Sequence, residues 1–328
     1  MSGRPPDLAT PDLAASDLDE FGEIRRLFLP LTRGAAGAFE LKDDAAIVPK
    51  RPGHDLVVTK DAIVEGVHFL AGEAPELIGK RLAQVNFSDL AAKGAEPFAA
   101  FLAVAWPVYF SGADRAAFAA GLGEDFKDAG VSLMGGDTVA TPGPFTASLT
   151  AMGWVPEGRM VRRAGARPGD QLMVSGPIGD AGLGLMAARR QVGDPDGYLE
   201  GRYRRPTARL DLRSLVLEHT SAAADVSDGL IADAGHIALA SGVGLWLDLD
   251  RMPLSAQARA WLDSQPDRSQ ALLALASAGD DYEIVATSAV SLPGFKAIGE
   301  VSAGAGLDVR VGGQSVTPGA GGWRHGPI

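Results

Sequence analysis

The chain has 328 residues, 46% of them hydrophobic, enough for two domains that each bury a core. Its 41 acidic and 30 basic residues leave a net charge of −11, which repels nucleic acid, and no Lys/Arg run compensates locally. The lack of any cysteine excludes disulfides, thiolate nucleophiles, zinc–thiolate centres and iron–sulfur clusters, so a metal would have to be held by oxygen or imidazole.

Met1 to Glu20 has no apolar block and is rich in Pro, Ala, Ser and Asp, which predicts a disordered extension on a cytoplasmic protein and no secretory signal. Glu23 to Leu29 reads as a short helix, followed by strands at Ala45 to Val48 and Asp55 to Thr59 between Pro/Gly turns. Glu76 to Lys93 has helical length, with Ile78, Leu82 and Val85 on its apolar side. The apolar run Pro97 to Phe110 falls short of the roughly 20 residues of a membrane span and is broken by Pro107, so Phe98 to Trp106 is expected as a buried strand. A helix near Ala113 to Ala129 and a strand Val131 to Met134 lead into Gly135-Gly136-Asp137-Thr138, and Phe145 to Gly153 alternates like a strand with one buried face.

The pattern pauses at Val155 to Gly158 and a second strand–loop–helix series begins at Asp170, which sets a boundary between a first domain, 21–157, and a second, 158–328. The second half reads as a strand Gln171 to Ser175, a glycine-rich turn, helices Ala181 to Arg190 and Gly229 to Ala240, and strands Tyr282 to Ala286 and Phe295 to Val301. Helices and strands mix without strict βαβ alternation, so the expected class is α+β.

Six aspartates fall at the ends of elements or at odd places within them: Asp44, Asp61, Asp89, Asp137, Asp225 and Asp228. Asp44, Asp61 and Asp137 also suit plain turns, and Asp228 suits the N-cap of the helix that follows. Asp89 fits an ordinary role less well, because Asn86, Ser88 and Asp89 are mediocre helix formers in the middle of one helix. Asn86, Asp89 and Lys93 share a face at i, i+3 and i+7; a solvated face is the alternative. Asp225 and Asp228 bracket a strand-to-helix corner, where two carboxylates repel each other unless a cation sits between them. Mg²⁺ takes carboxylate oxygens and shares substrate phosphates, so scattered aspartates suit it. The histidines show no paired metal spacing, and only His68 stands beside a candidate site. Gly176 to Gly184 joins a strand to a helix and can offer N–H groups to phosphate. No Gly-Lys-Ser/Thr follows, and a tight turn with close helix packing explains it equally well.

These segments also carry a resemblance. Phe21-Gly22-Glu23-Ile24, Asp43-Asp44-Ala45-Ala46, Lys60 to Phe69, Val85 to Gly94, Gly135 to Thr138, Asp225 to Leu230 and Gly279 to Glu283 resemble thiamine-monophosphate kinases, in the family's order. The resemblance implies a two-domain α+β fold like that of aminoimidazole-ribonucleotide synthetase, with N-terminal domains pairing into a homodimer through a β-barrel. It implies that ATP and thiamine monophosphate give ADP and thiamine diphosphate with several Mg²⁺ ions, without nucleic acid or membrane. By position, Asp44, Thr59, Asp61, Asp89, Asp137, Asp225 and Asp228 match metal ligands. Gly135, Gly136, Arg163 and Ser227 match ATP contacts, and His68, Asp280 and Trp323 match the thiamine-phosphate side. The chain departs from the family's pattern at Lys60, where Thr or Ser is common, at Asp280, where Glu is commoner, and at Leu41-Lys42, which replaces a glycine-rich approach.

The implied acceptor is a phosphate monoester, largely dianionic at neutral pH and in need of no general base. Relatives of the fold that use a cysteine or selenocysteine are disfavoured in a chain without cysteine. An aminoimidazole-ribonucleotide synthetase and a nucleotide-binding regulator without catalysis remain the alternatives.

Overall fold

The computed structural model describes residues 20–319. Helical turns open it: α1 (Glu20–Glu23) continues through a π-type turn, Ile24–Phe28, into a 3₁₀ turn, Leu29–Thr32. Pro30, which has no N–H to donate, sits where the helix changes type. The strand expected at Ala45 to Val48 is absent. That segment is irregular, Ile47 is exposed, and its N–H bonds Gly37 O at 2.9 Å; Pro49 follows at once, and no strand among the described residues pairs with it.

Four long strands form the first sheet: β1 (His54–Val64), β2 (Glu96–Pro107), β3 (Ser132–Thr141) and β4 (Thr146–Pro156), in the order β1-β4-β2-β3. Only β2 and β3 run parallel. Alternation along β1 buries Val57 and Ile63 on one face and leaves Leu56 and Val58 exposed on the other. The inner face is covered by α2 (Pro75–Ala92) and α3 (Gly112–Ala129), which starts in a Ser111/Asp114 capping box and stops at Gly130 in the left-handed region. Leu82, Phe87, Leu90, Phe118, Phe126, Phe145 and Leu149 fill the space between. The Gly135 to Thr138 stretch is no turn: it lies inside β3, and a Cβ on Gly136 would stand 1.9 Å from Leu102 O across the ladder.

The second sheet is built from β5 (Gln171–Val174), β6 (Ala222–Asp225), β7 (Gly244–Asp248), β8 (Ile284–Ser288), β9 (Lys296–Ser302), β10 (Gly306–Val311) and β11 (Gln314–Val316), in the order β11-β10-β7-β9-β5-β8-β6. Helices α4 (Asp180–Ala188), α5 (Tyr198–Arg204), α6 (Arg213–His219), α7 (Leu230–Ser241), α8 (Ala256–Asp263) and α9 (Arg268–Ser277) are interspersed. Its core gathers Leu172, Val174, Ile178, Leu230, Ile237, Leu247, Leu272 and Val285. Mixed sheets and separate helices are the expected α+β arrangement.

α2 belongs to both halves. Its last residues, Ala91 and Ala92, share a buried cluster with Val161, Met173, Val216, Ala223 and Ile284. This explains why the helix is buried nearly all round, Arg81, Asn86 and Ser88 included, where sequence periodicity suggested one apolar side.

Candidate active site

Where α2 faces both β1 and the second sheet, a cavity of about 850 Å³ opens. β1 brings Asp61, α2 brings Arg81 and Asp89, β6 ends in Asp225, and the loop after it carries Ser227 and Asp228. His68, Arg163, Asp280 and Tyr282 complete the wall. Arg81, Val85 and Asp89 all line it at i, i+4 and i+8, one stripe of α2.

Fixed hydrogen bonds hold these groups. The fully buried Asn86 accepts the Asp61 N–H at 3.0 Å and donates to Leu82 O at 2.9 Å, which fastens β1 to α2. The Thr59 hydroxyl donates to the Asp89 carboxylate. Val64 N–H donates to His68 Nδ1 at 3.0 Å, so in the neutral ring Nε2 carries the proton. Opposite, two backbone segments cross: Val226 N–H to Glu283 O at 2.7 Å, Asp280 N–H to Ser227 O at 2.9 Å, and Tyr282 N–H to Val226 O at 2.9 Å. A Cβ on Gly279 would lie 2.3 Å from Ser227 O, so only glycine allows this approach.

The crossing forces Asp280 to φ +68° and Tyr282 to φ +52°. Such backbone costs about 1–3 kcal/mol per residue where the surroundings must hold it in place. The Tyr282 hydroxyl donates to Asp280 Oδ1 at 3.1 Å and Arg81 Nη1 reaches Asp280 Oδ2 at 3.4 Å. Arg81, itself buried, also bonds Tyr203 O and stacks 4.8 Å over the Tyr203 ring. The left-handed Tyr282 explains why β8 begins at Ile284, two residues later than the sequence suggests.

Like charges crowd the cavity. Burial, with Asp89 and Asp228 nearby, pushes Asp61 up to about 6. Burial and Asp89 push Asp225 up to about 7, with Ser88 and Lys93 pulling the other way. Asp233, fully buried on α7, is pushed up to about 8 by burial and then by Asp225 and Asp228. Its Oδ2 accepts the Asp228 N–H at 3.2 Å, and its Oδ1 has no hydrogen-bond partner. Asp228 does not cap α7, whose N-cap is Gly229. Carboxylates that raise one another's pKa, with an orphaned oxygen among them, are a donor set short of positive charge, and hard oxygen donors fit Mg²⁺.

The sequence-derived set divides. Asp61, His68, Asp89, Arg163, Asp225, Ser227, Asp228 and Asp280 line this cavity, with Thr59 bonded behind Asp89. Asp44, Gly135, Gly136 and Asp137 line a second cavity, of about 310 Å³, beside β3. Across the ladder Ala62, Ser148, Ala103 and Asp137 stand in one row. Asp137 therefore shares the outer face with Ala62, while Asp61 points to the helix-covered face, and the row spans about 14 Å at the usual strand spacing. Trp323 lies outside the described residues, as does the extension expected at Met1 to Glu20 except its last residue. In the glycine-rich turn the N–H groups of Gly179 and Ala181 are taken by the Asp281 carboxylate, at 2.7 and 3.1 Å. Sequence reasoning missed Arg81, Asp233 and Tyr282. Extending the Asp89 stripe back by two turns would have found Arg81.

Residues 42–155 match the N-terminal domain of AIR synthase related proteins, and residues 167–312 match the C-terminal domain. The thiamine-monophosphate kinase of Caulobacter vibrioides is 51% identical over 332 aligned positions, covering 98% of this chain and 94% of that protein. Among solved structures, thiamine-monophosphate kinase from Stenotrophomonas maltophilia K279a superposes with a TM-score of 0.76 at 34% identity, covering 88% of this chain and 97% of the other. A structure of AaThiL complexed with AMPPCP and TMP gives a TM-score of 0.75 at 32% identity, covering 93% and 96%.

Proposed function

The chain belongs to the thiamine-monophosphate kinase family, and from that premise we propose that it transfers the γ-phosphoryl group of ATP to thiamine monophosphate, giving ADP and thiamine diphosphate. The observation that carries this reading is the convergence of mutually repelling carboxylates from both sheets on one cavity. Polyphosphate chemistry needs such a surface, bridged by hard cations.

Asp61, Asp89, Asp225 and Asp228, with Thr59 behind Asp89, would hold Mg²⁺, and Asp44 and Asp137 would add to the set from the second cavity. Bound Mg²⁺ supplies the positive charge that offsets the polyphosphate and the acceptor dianion. Arg163 and Ser227, with Gly135 and Gly136, are assigned to ATP. His68 is assigned to binding the acceptor phosphate; no side chain is needed as a base, because the acceptor oxygen is already ionised. Asp280, fixed by Arg81 and the Tyr282 hydroxyl, takes the thiamine end, with Trp323 supplying an aromatic face.

The same reading includes a cytoplasmic homodimer with a domain division near residue 157. The outer face of the first sheet supports the dimer: Leu56 and Val58 are exposed at one corner of it and Val139 at the opposite corner. A second copy on that face would cover them and form a barrel, and a solution mass of two chains is the check. No helix among the described residues is long and apolar enough to cross a membrane.

The deciding assay is ADP release. Release that requires both thiamine monophosphate and Mg²⁺ is expected. ATP binding without acceptor-dependent ADP would leave a nucleotide-binding regulator in its place.

A further inference from the structure

We propose that Lys93 is a built-in cation of the cavity that weakens the carboxylates' hold on divalent ions. The inference rests on the metal reading above and adds a residue that reading does not use. Lys93 is the C-cap of α2, one turn beyond Asp89. Its ammonium donates to Ala223 O at 2.8 Å, two residues before Asp225 on β6. It is half-buried and absent from the cavity lining, so it stands behind the carboxylates and not among the groups open to ligand.

An ammonium there costs desolvation, and burial pushes its pKa down. Asp225, Asp89 and Asp233 pull it back up, while Arg163 opposes them. A half-buried lysine set behind three carboxylates offsets part of their mutual repulsion without an ion pair to any one of them. Its charge acts on bound ions with the opposite sign to the aspartates. With Lys93 in place the metal-free protein tolerates its acidic cluster, and each divalent ion binds against a resident positive charge. Without it the cluster attracts ions more strongly and the metal-free protein is less stable. A hydrogen bond to Ala223 O alone predicts neither change in ion affinity.

The test uses the full chain without nucleotide, titrated with Mn²⁺ and followed by electron paramagnetic resonance, beside thermal unfolding with and without the ion. Lys93→Gln keeps a donor for Ala223 O and removes the charge; Lys93→Arg keeps the charge. Lys93→Gln is expected to bind Mn²⁺ about three- to tenfold more tightly, the size of one partly screened charge. Its metal-free Tm should fall, with saturating Mn²⁺ closing most of the gap, and Lys93→Arg should stay near wild type. Unchanged or weaker Mn²⁺ binding by Lys93→Gln, or an arginine variant that behaves like the glutamine one, overturns the proposal and leaves the metal reading standing. Wild type that takes up no Mn²⁺ overturns the metal reading and this inference with it. A Lys93→Gln chain that fails to fold even with Mn²⁺ also overturns it, because the ammonium is then a structural tie.

Discussion

The two faces of the first sheet carry aspartates in opposite settings. On the inner face Asp61 meets Asp89 and Asp225 in a cavity walled by both sheets, where burial and like charge push carboxylates up. On the outer face Asp137 is exposed, with Asp44 exposed beside it along the second cavity. The residue type is the same. What differs is how much water and how many neighbouring charges each one has, and so how strongly it demands a cation.

The largest test of that difference is Asp225→Asn. On the inner face it removes a charge directed at the phosphates, and turnover should drop about 10²–10⁴-fold while the fold persists. Asp89→Asn should do the same. Near-normal turnover by either folded variant takes that carboxylate out of the site. Asp137→Asn sharpens the contrast: a comparable loss would show that the outer face joins the chemistry, and a small one that it does not.

Within the inner cavity the comparison narrows to the strained Asp280. Asp280→Asn and Trp323→Ala should each raise KM for thiamine monophosphate about two- to thirtyfold and leave KM for ATP almost unchanged, because a cation–aromatic or charge contact is worth about 0.5–2 kcal/mol. Equal effects on both substrates would make these residues supports of the fold.

The smallest effect is on stability against pH. Asp61, Asp225, Asp233 and Asp281 are raised to about 6, 7, 8 and 8. Folded-state values above the unfolded one, about 3.9 for Asp, mean that the folded form binds protons more tightly. Their contribution is fully present below about pH 4 and is lost as pH rises through 6 to 8. Metal-free protein should therefore lose several degrees of Tm between pH 5.5 and 8.5, and Mg²⁺ should restore much of the loss at the upper end. A metal-free Tm that climbs over this range contradicts the reading of the inner face.

Most of the carboxylates that meet in the inner cavity were singled out by residue type. Asn86 and Asp89 stood out as poor helix formers on one face, and Asp225 with Asp228 marked a strand-to-helix corner. Which face of the sheet Asp137 takes was not readable, because Gly-Gly-Asp-Thr has turn composition and only the pairing with β2 makes it a strand. β6 was readable only as the strand side of the Asp225/Asp228 corner, without bounds, since the alanines Ala222 to Ala224 have little strand preference and pairing with β8 decides. Asp233 looked like any acid in the first turn of a helix; its burial comes from the packing of α7 against the second sheet. Conversely, Ala45 to Val48 had strand composition and no partner to pair with.

The shared cluster at the end of α2 also bears on the timing of synthesis. Ala91 and Ala92 pack against Val161, Ala223, Ile284 and Leu292. At about 5–20 residues per second, the roughly 200 residues from Ala92 to Leu292 take about 10–40 s to emerge. Domains ordinarily fold in the order they leave the ribosome. Here the last turn of α2, which carries Asp89, is fully covered only after that interval, and the acidic cavity gains its opposite wall only when most of the chain has emerged.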